Sequence, residues 1–456
     1  MSSFYTINPA TGKKLTEYHY QTSKELSQSI DNCHSSWQEW KNTSFVERAE
    51  LMLKLASTLE GDKEELANLI TMEVGKPISQ SISEIEKCAW VCKYYADNAE
   101  EFLSDTPILT EATKSLISYQ PLGVVLAIMP WNFPFWQVFR FAAPGLMAGN
   151  AALLKHSPNT TACALKIQEL FESAGFPSNL FTTIIADAPE IEAVIANDKV
   201  AAVTLTGSTN AGKSVASLAG KYLKKAVLEL GGSDPYVVLD DADLDLAADK
   251  CVTGRLINTG QSCIAAKRFI VTEKNSEAFT EKVLALLSQK EFGDPTTDNF
   301  SLGSMAREDL RNQLQKQVQS SIEKGANCLL GGTIPDCDGF YYPATLLTNV
   351  SKGMPAYNEE LFGPVATIIT ARNEEDALNI ANDTSFGLGA ALFTSNKERG
   401  TELASRRLEA GCVFINDFVK SDPRLPFGGI KQSGFGRELS FLGIQEFVNC
   451  KTVYLA

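Results

Sequence analysis

The run Asn258-Thr-Gly-Gln-Ser-Cys263 places one cysteine in a short polar segment between a predicted helix and the apolar strand Arg268 to Val271. Cys263 reads as a nucleophile, because even a small thiolate fraction attacks a carbonyl readily near neutral pH. Gly260, Ser262 and Ala265 are small and leave room for a substrate to approach the sulfur. Upstream, Glu229-Leu-Gly-Gly232 offers a carboxylate followed by two glycines. Pro130-Trp-Asn-Phe-Pro134 holds an amide between aromatics and prolines directly after a strand. An amide fixed at Asn132 can donate to a developing oxyanion, an interaction typically contributing about 3 to 4 kcal/mol.

Two further features suit an anionic cofactor. Thr206-Gly-Ser-Thr209 stands between a strand and a helix, where backbone N–H groups and the Ser208 hydroxyl can hold a pyrophosphate. The Gly-x-Gly-x-x-Gly fingerprint is absent, so the turn is no ordinary dinucleotide site. Lys155 ends the strand Ala151 to Lys155, where a cation at the carboxyl edge of a sheet can meet a ribose or a phosphate.

These residues need elements to carry them. Asn8-Pro-Ala-Thr-Gly12 reads as a turn, and Ser23 to Leu103 shows helical spacing, broken at Gly75-Lys-Pro77. One helix there carries Ile82, Ile85, Ala89 and Cys92 on a single face and reads as packing. Residues 105 to 121 form an extended excursion that needs a partner strand, and the tail Phe447 to Leu455 alternates and can supply one. From Pro121 the pattern becomes strand, turn, helix, strand: Val124 to Met129, a helix around Phe139 to Ala148, Ala151 to Lys155, Phe181 to Ile185 and Val203 to Leu205. A second series runs through Tyr236 to Leu239, Phe269 to Val271, Ala366 to Ile369 and Cys412 to Ile415. Such alternation implies parallel sheets with crossover helices.

Composition narrows the class. With 456 residues, 44% apolar and 21% charged, the chain has the make-up of a globular enzyme of two or three domains. A net charge of −14 argues against nucleic acid or an anionic membrane, so any anionic ligand needs a local positive pocket. The ten cysteines follow no framework spacing and the three histidines have no ligand spacing, so neither disulfides nor a metal site is expected. No secretory signal or clean apolar span is visible, and a cytoplasmic enzyme is the expectation.

The pairing of Glu229-Leu-Gly-Gly232 with Gly260-Gln-Ser-Cys263 resembles the aldehyde dehydrogenase superfamily, and motifs from Asn8 to Glu438 follow its order. The resemblance implies an α/β fold with two parallel-sheet, Rossmann-like domains and an oligomerisation β-hairpin. Residues 1–104 and 122–231 would form the cofactor-binding domain, 232–438 the catalytic domain, and 105–121 with 439–456 the oligomerisation segments of a homodimer or homotetramer. It implies Cys263 as nucleophile, Glu229 as the base that hydrolyses a thioester, and Asn132 with the Cys263 amide as oxyanion hole. Lys155, Ser157, Gly207, Ser208, Glu360, Phe362 and Trp131 would hold NAD or NADP. Pro158 stands where many NAD-preferring members carry a glutamate, which leaves the choice between the two cofactors open.

Within the superfamily the chain looks closest to the bacterial succinate semialdehyde dehydrogenase branch. Arg140 matches an arginine that holds the substrate's distal carboxylate there. A second such arginine is replaced by Ile257, for which Ser421 and Arg424 are candidate substitutes, and Ala265 stands where some relatives have a redox-active cysteine. The expected reaction is NAD(P)-dependent oxidation of succinate semialdehyde to succinate. Another small aldehyde is the alternative, as is a cofactor-independent thiol hydrolase or acyltransferase using the same three groups.

Overall fold

The computed structural model describes residues 2–456. Two central sheets, each covered by helices, carry the site between them. In the first, the strand order is Gly434–Phe435, Lys225–Glu229, Val200–Thr206, Val124–Met129, Ala151–His156 and Phe181–Thr183. All pairings are parallel except that of Gly434–Phe435, which returns antiparallel to Lys225–Glu229 from the far end of the chain. The second sheet runs Asn327–Leu330, Thr345–Thr348, Val365–Ala371, Ala266–Thr272, Asp234–Val238, Gly389–Phe393 and Cys412–Ile415, with only the first strand antiparallel.

The second sheet is buried on both faces, as parallel sheets with crossover helices must be. Because strand residues alternate, Val237, Ile270, Val365 and Ile369 enter one core while Tyr236, Val238, Phe269 and Ile368 enter another. This sheet has three strands that the apolar pattern does not mark: Asn327–Leu330, Thr345–Thr348 and Gly389–Phe393. Gly389-Ala-Ala lacks the branched side chains that signal a strand, and Asn327–Leu330 is a short, half-exposed edge.

The expected helical region resolves into Ser23–Trp40, Phe45–Gly61, Lys63–Val74 and Ile78–Phe102. Thr22 with Glu25, and Ser44 with Glu47, form reciprocal capping boxes that start the first two. Gly75, at φ 76°, closes the third. The expected turn at Asn8–Gly12 joins a hairpin, Ser3–Asn8 and Lys13–His19.

The excursion and the tail pair within the chain, Lys114–Pro121 lying antiparallel to Val448–Leu455 in a three-stranded sheet whose third member is Thr106–Pro107. Residues 440–445 do not extend this sheet: Ser440–Gln445 is a helix packed on Ile78–Phe102 and on Trp136–Met147. No helix among the described residues is long and apolar enough to cross a membrane.

Candidate active site

Cys263 follows the helix Leu244–Leu256 through an unusual turn. Asn258, Thr259 and Gly260 take left-handed φ values of 52°, 54° and 75° in succession. Two of the three bear side chains, so the turn stores strain that its surroundings must hold. Arg255, fully buried, does so by donating from Nη2 to the carbonyls of Gly260 (2.7 Å) and Leu361 (3.1 Å) and to that of Gly363. A side chain at Gly260 would collide with the Gly363 carbonyl, which explains a glycine there. Asn258 N–H donates to Gln80 Oε1 at 2.7 Å, tying the turn to the helix Ile78–Phe102.

The Asn132 loop is stitched to this turn. Asn258 Nδ2 donates to Asn132 O at 2.7 Å, and Asn132 Nδ2 donates to Gln261 O at 3.0 Å. Gln137 Nε2 donates to Asn132 Oδ1 at 3.0 Å, which fixes the orientation of the carboxamide. Asn132 thus uses one of its two Nδ2 hydrogens and keeps the other for a ligand. The Cys263 N–H likewise makes no hydrogen bond among the described residues, which leaves it free to donate. From behind, Glu84 Oε1 accepts from the N–H groups of Phe135 and Trp136, each at 2.9 Å, and Glu84 is ion-paired with buried Lys76.

Cys263 lies where two cavities meet. One, of about 570 Å3, is walled by Trp136, Arg140, Ile257, Ser421 and Phe427; the other, of about 840 Å3, by Trp131, Lys155, Ser157, Gly207, Ser208, Glu360 and Phe362. Among the described residues only Cys263 and Gln137 line both. Burial pushes the Cys263 thiol up to about 12, against the opposing pull of Arg140 and Lys267. The second cavity gathers the whole set expected for the cofactor. Ser208 caps the helix Thr209–Lys221 by accepting from Ala211 N–H at 3.3 Å, so the positive end of that helix faces the cleft. Trp131 and Phe362 meet edge to face, 5.7 Å between ring centres. Glu360 accepts from Gly232 N–H at 3.1 Å, and a side chain at Gly231 would strike its carboxylate. Burial lowers the pKa of Lys155, with Asp187 acting against it.

Other expected residues lie differently. Glu229 ends its strand fully enclosed and lines neither cavity; its Oε1 sits beside Gly428, and neither oxygen has a hydrogen-bond partner among the described residues. Burial, then the neighbouring Glu438, raises its pKa well above the ordinary carboxylate value, with Arg140 and Arg437 opposing. Arg140 lines the smaller cavity, but its guanidinium is ion-paired with buried Glu438, donates to Thr206 Oγ1 at 3.2 Å and lies 4.7 Å from the centre of the Phe427 ring. Ser421 is buried in the cavity wall. Arg424 is outside it, exposed and paired bidentately with Asp422.

Two cations in the site went unmarked by sequence reasoning. Lys267, buried at the start of Ala266–Thr272, donates to the carbonyls of Ser262 (2.9 Å) and Cys263 (2.7 Å) and reaches Glu360 Oε1 at 3.4 Å. Two adjacent cations opening an otherwise apolar strand are the signal for it. Lys87 lines the smaller cavity with Gln80, Ser83 and Glu84, a polar stripe at helical spacing opposite the buried face of Ile85, Ala89 and Cys92.

This geometry can present a thiol to a carbonyl, hold the resulting oxyanion with two N–H donors and keep a dinucleotide cleft on the opposite side of the sulfur. The comparisons agree. Residues 2–453 match the model of the aldehyde dehydrogenase family. The chain is 50% identical over 451 residues, 99% of each chain, to a Synechocystis sp. protein named probable succinate-semialdehyde dehydrogenase (NADP(+)). It is 46% identical over 449 residues, 98% of this chain and 97% of the relative, to the NAD(P)+ succinate semialdehyde dehydrogenase of Escherichia coli. The crystal structure of succinic semialdehyde dehydrogenase from Streptococcus pyogenes with NADP+ superposes with a TM-score of 0.97 at 36% identity, over 99% of both chains. The chain belongs to the aldehyde dehydrogenase family.

Proposed function

We propose that this enzyme oxidises succinate semialdehyde to succinate with NADP as the favoured acceptor, Cys263 being the nucleophile. The observation that carries the reading is the position of Cys263 at the junction of a cation-lined cavity and a dinucleotide cleft. The cleft fits the cofactor: Lys155 and the start of the helix Thr209–Lys221 line it and would hold the phosphates, and no acid stands at Pro158 to repel a 2′-phosphate. Bound there, the nicotinamide supplies the hydride acceptor.

The Cys263 thiolate attacks the aldehyde carbon, and the tetrahedral oxyanion is held by the free Nδ2 hydrogen of Asn132 and the Cys263 N–H. Loss of hydride from that carbon leaves a thioester on Cys263. Glu229 then removes one proton from the water that attacks it, the tetrahedral intermediate expels the Cys263 thiolate, and the acid so formed gives its proton to solvent and leaves as the carboxylate. Burial and the neighbouring Glu438 favour the protonated form of the enclosed Glu229 carboxyl, so its action as a base calls for it to turn toward the cleft.

Lys114–Pro121 and Val448–Leu455 serve a homodimer or homotetramer: Val448–Leu455 is an edge strand, and Tyr454 and Leu455 lie exposed on it. The sheet containing Val124–Met129 belongs to the cofactor-binding domain, the other to the catalytic domain, and the enzyme works in the cytoplasm. The test is reduction of NAD and NADP over a panel of aldehydes. Succinate semialdehyde with NADP should give the highest kcat/KM; aldehyde or ester turnover with no nicotinamide reduction would overturn the reading.

A further inference from the structure

The inference that follows deepens the proposed function and rests on its substrate, an aldehyde bearing a distal carboxylate. Five charged side chains line the smaller cavity: Glu84, Lys87, Arg140, Lys290 and Lys420. Three are already matched. Glu84 is paired with Lys76 and accepts two backbone N–H bonds, Arg140 is paired with Glu438, and Lys420 is paired with Asp417 at 2.7 Å. Lys87 and Lys290 have no carboxylate within ion-pair distance among the described residues. Lys87 is the one packed into the site. It is half-buried, its Nζ donates to Ser421 Oγ at 2.8 Å, and it stands 4.4 Å from the centre of the Trp136 ring.

We propose that Lys87 is the specificity-determining cation of this cavity and receives the substrate's distal carboxylate together with the Ser421 hydroxyl. The Ser421 oxygen accepts from Lys87, which leaves its own O–H free to donate to the same carboxylate. Trp136 and Ile257 supply apolar walls for the two methylenes between carboxylate and aldehyde. Arg140, its charge shared with Glu438, contributes field rather than an unspent ion pair. The charge on Lys87 is costly in the free enzyme: burial, then Arg140 on the adjacent helix, lowers its pKa to about 8, while Cys88 and Glu84 of its own helix and Asp422 beside Ser421 act the other way. A bound carboxylate would offset that cost.

The experiment compares kcat/KM for succinate semialdehyde and for butanal in wild type, Lys87→Met and Lys87→Arg, with NADP. Wild type should favour the semialdehyde. Lys87→Met should lower the ratio of the two values about ten- to hundredfold, the worth of one charge-assisted bond, and Lys87→Arg should restore most of it. KM for the semialdehyde in wild type should rise as pH passes about 8, where the free ammonium is lost, and that rise should be absent in Lys87→Met. A ratio unchanged in Lys87→Met, or a pH profile shared by both enzymes, would overturn the role of Lys87 while leaving the substrate reading intact. A wild type that shows no preference between the two aldehydes would instead overturn the substrate reading beneath it.

Discussion

Lys267 Nζ donates to the carbonyl oxygen of Cys263 at 2.7 Å, from a position 3.4 Å from Glu360 Oε1. One buried cation therefore joins the loop that carries the thiol to the carboxylate that lines the dinucleotide cleft. Because Lys267 holds backbone and not substrate, its loss should be felt equally by every aldehyde. Lys267→Met removes the partner of several carbonyls, each such charge-assisted bond contributing about 1.5 to 3 kcal/mol, so kcat/KM should fall about ten- to hundredfold on semialdehyde and butanal alike. Labelling of Cys263 by iodoacetamide should also slow, since Lys267 is one of two cations that oppose the rise of its pKa. A loss confined to one aldehyde would contradict this account.

The thiol itself has a pH signature. Burial places its pKa at about 12, so below that value the thiolate fraction grows about tenfold per pH unit. In cofactor-free enzyme, alkylation of Cys263, followed by peptide mass spectrometry to separate it from exposed Cys337 and Cys450, should climb from about pH 7 to about pH 9.5 without levelling. A plateau near neutral pH would show a thiolate already formed at rest.

Arg140→Ala should do more than weaken a substrate contact. It leaves Glu438 buried without its countercharge and removes a cation that lowers the pKa of Glu229. Breaking one side of a buried pair costs about 3 to 5 kcal/mol, so thermal stability should drop and both aldehydes should lose turnover, in contrast to Lys87→Met. Calorimetry beside the two-substrate assay would separate the cases, and an Arg140→Ala enzyme of unchanged melting temperature would refute the structural role.

Gly260→Ala tests the strained turn. The substitution sets a methyl group against the Gly363 carbonyl at a left-handed position, combining backbone strain with a steric clash. Destabilisation of about 3 kcal/mol or more is expected, with loss of activity even where the protein is recovered folded. Near-normal kcat would mean that the turn tolerates rearrangement.

Much of this was legible in the chain. Cys263, Asn132 and the cofactor residues lie on short polar breaks in apolar patterns, and such breaks are conspicuous. Their convergence was not visible in the spacing, because it rests on long-range bonds such as Asn258 to Asn132 O and Asn132 to Gln261 O, and on side chains such as Arg255 that bond to backbone. Lys87 escaped notice since the opposite face of its helix, with Ile85 and Cys92, reads as packing and accounts for the periodicity alone. Arg424 was a reasonable candidate by position, but its neighbour Asp422 holds it at the surface. The groups that surround Glu229, with Glu438 and Arg140 acting on its charge and Gly428 beside its Oε1, are all distant in sequence, and no local pattern announces them.

The central claim is a covalent cycle through Cys263 in which hydride transfer precedes hydrolysis by Glu229. It is tested most directly by rapid mixing of Glu229→Gln with NADP and succinate semialdehyde, read by NADPH absorbance and by intact and peptide mass. The account predicts a burst of NADPH equal to the number of sites, followed by a stall, with the mass of a succinyl group on the peptide carrying Cys263. Steady turnover at the wild-type rate, or a burst with no acyl group on that peptide, would contradict it.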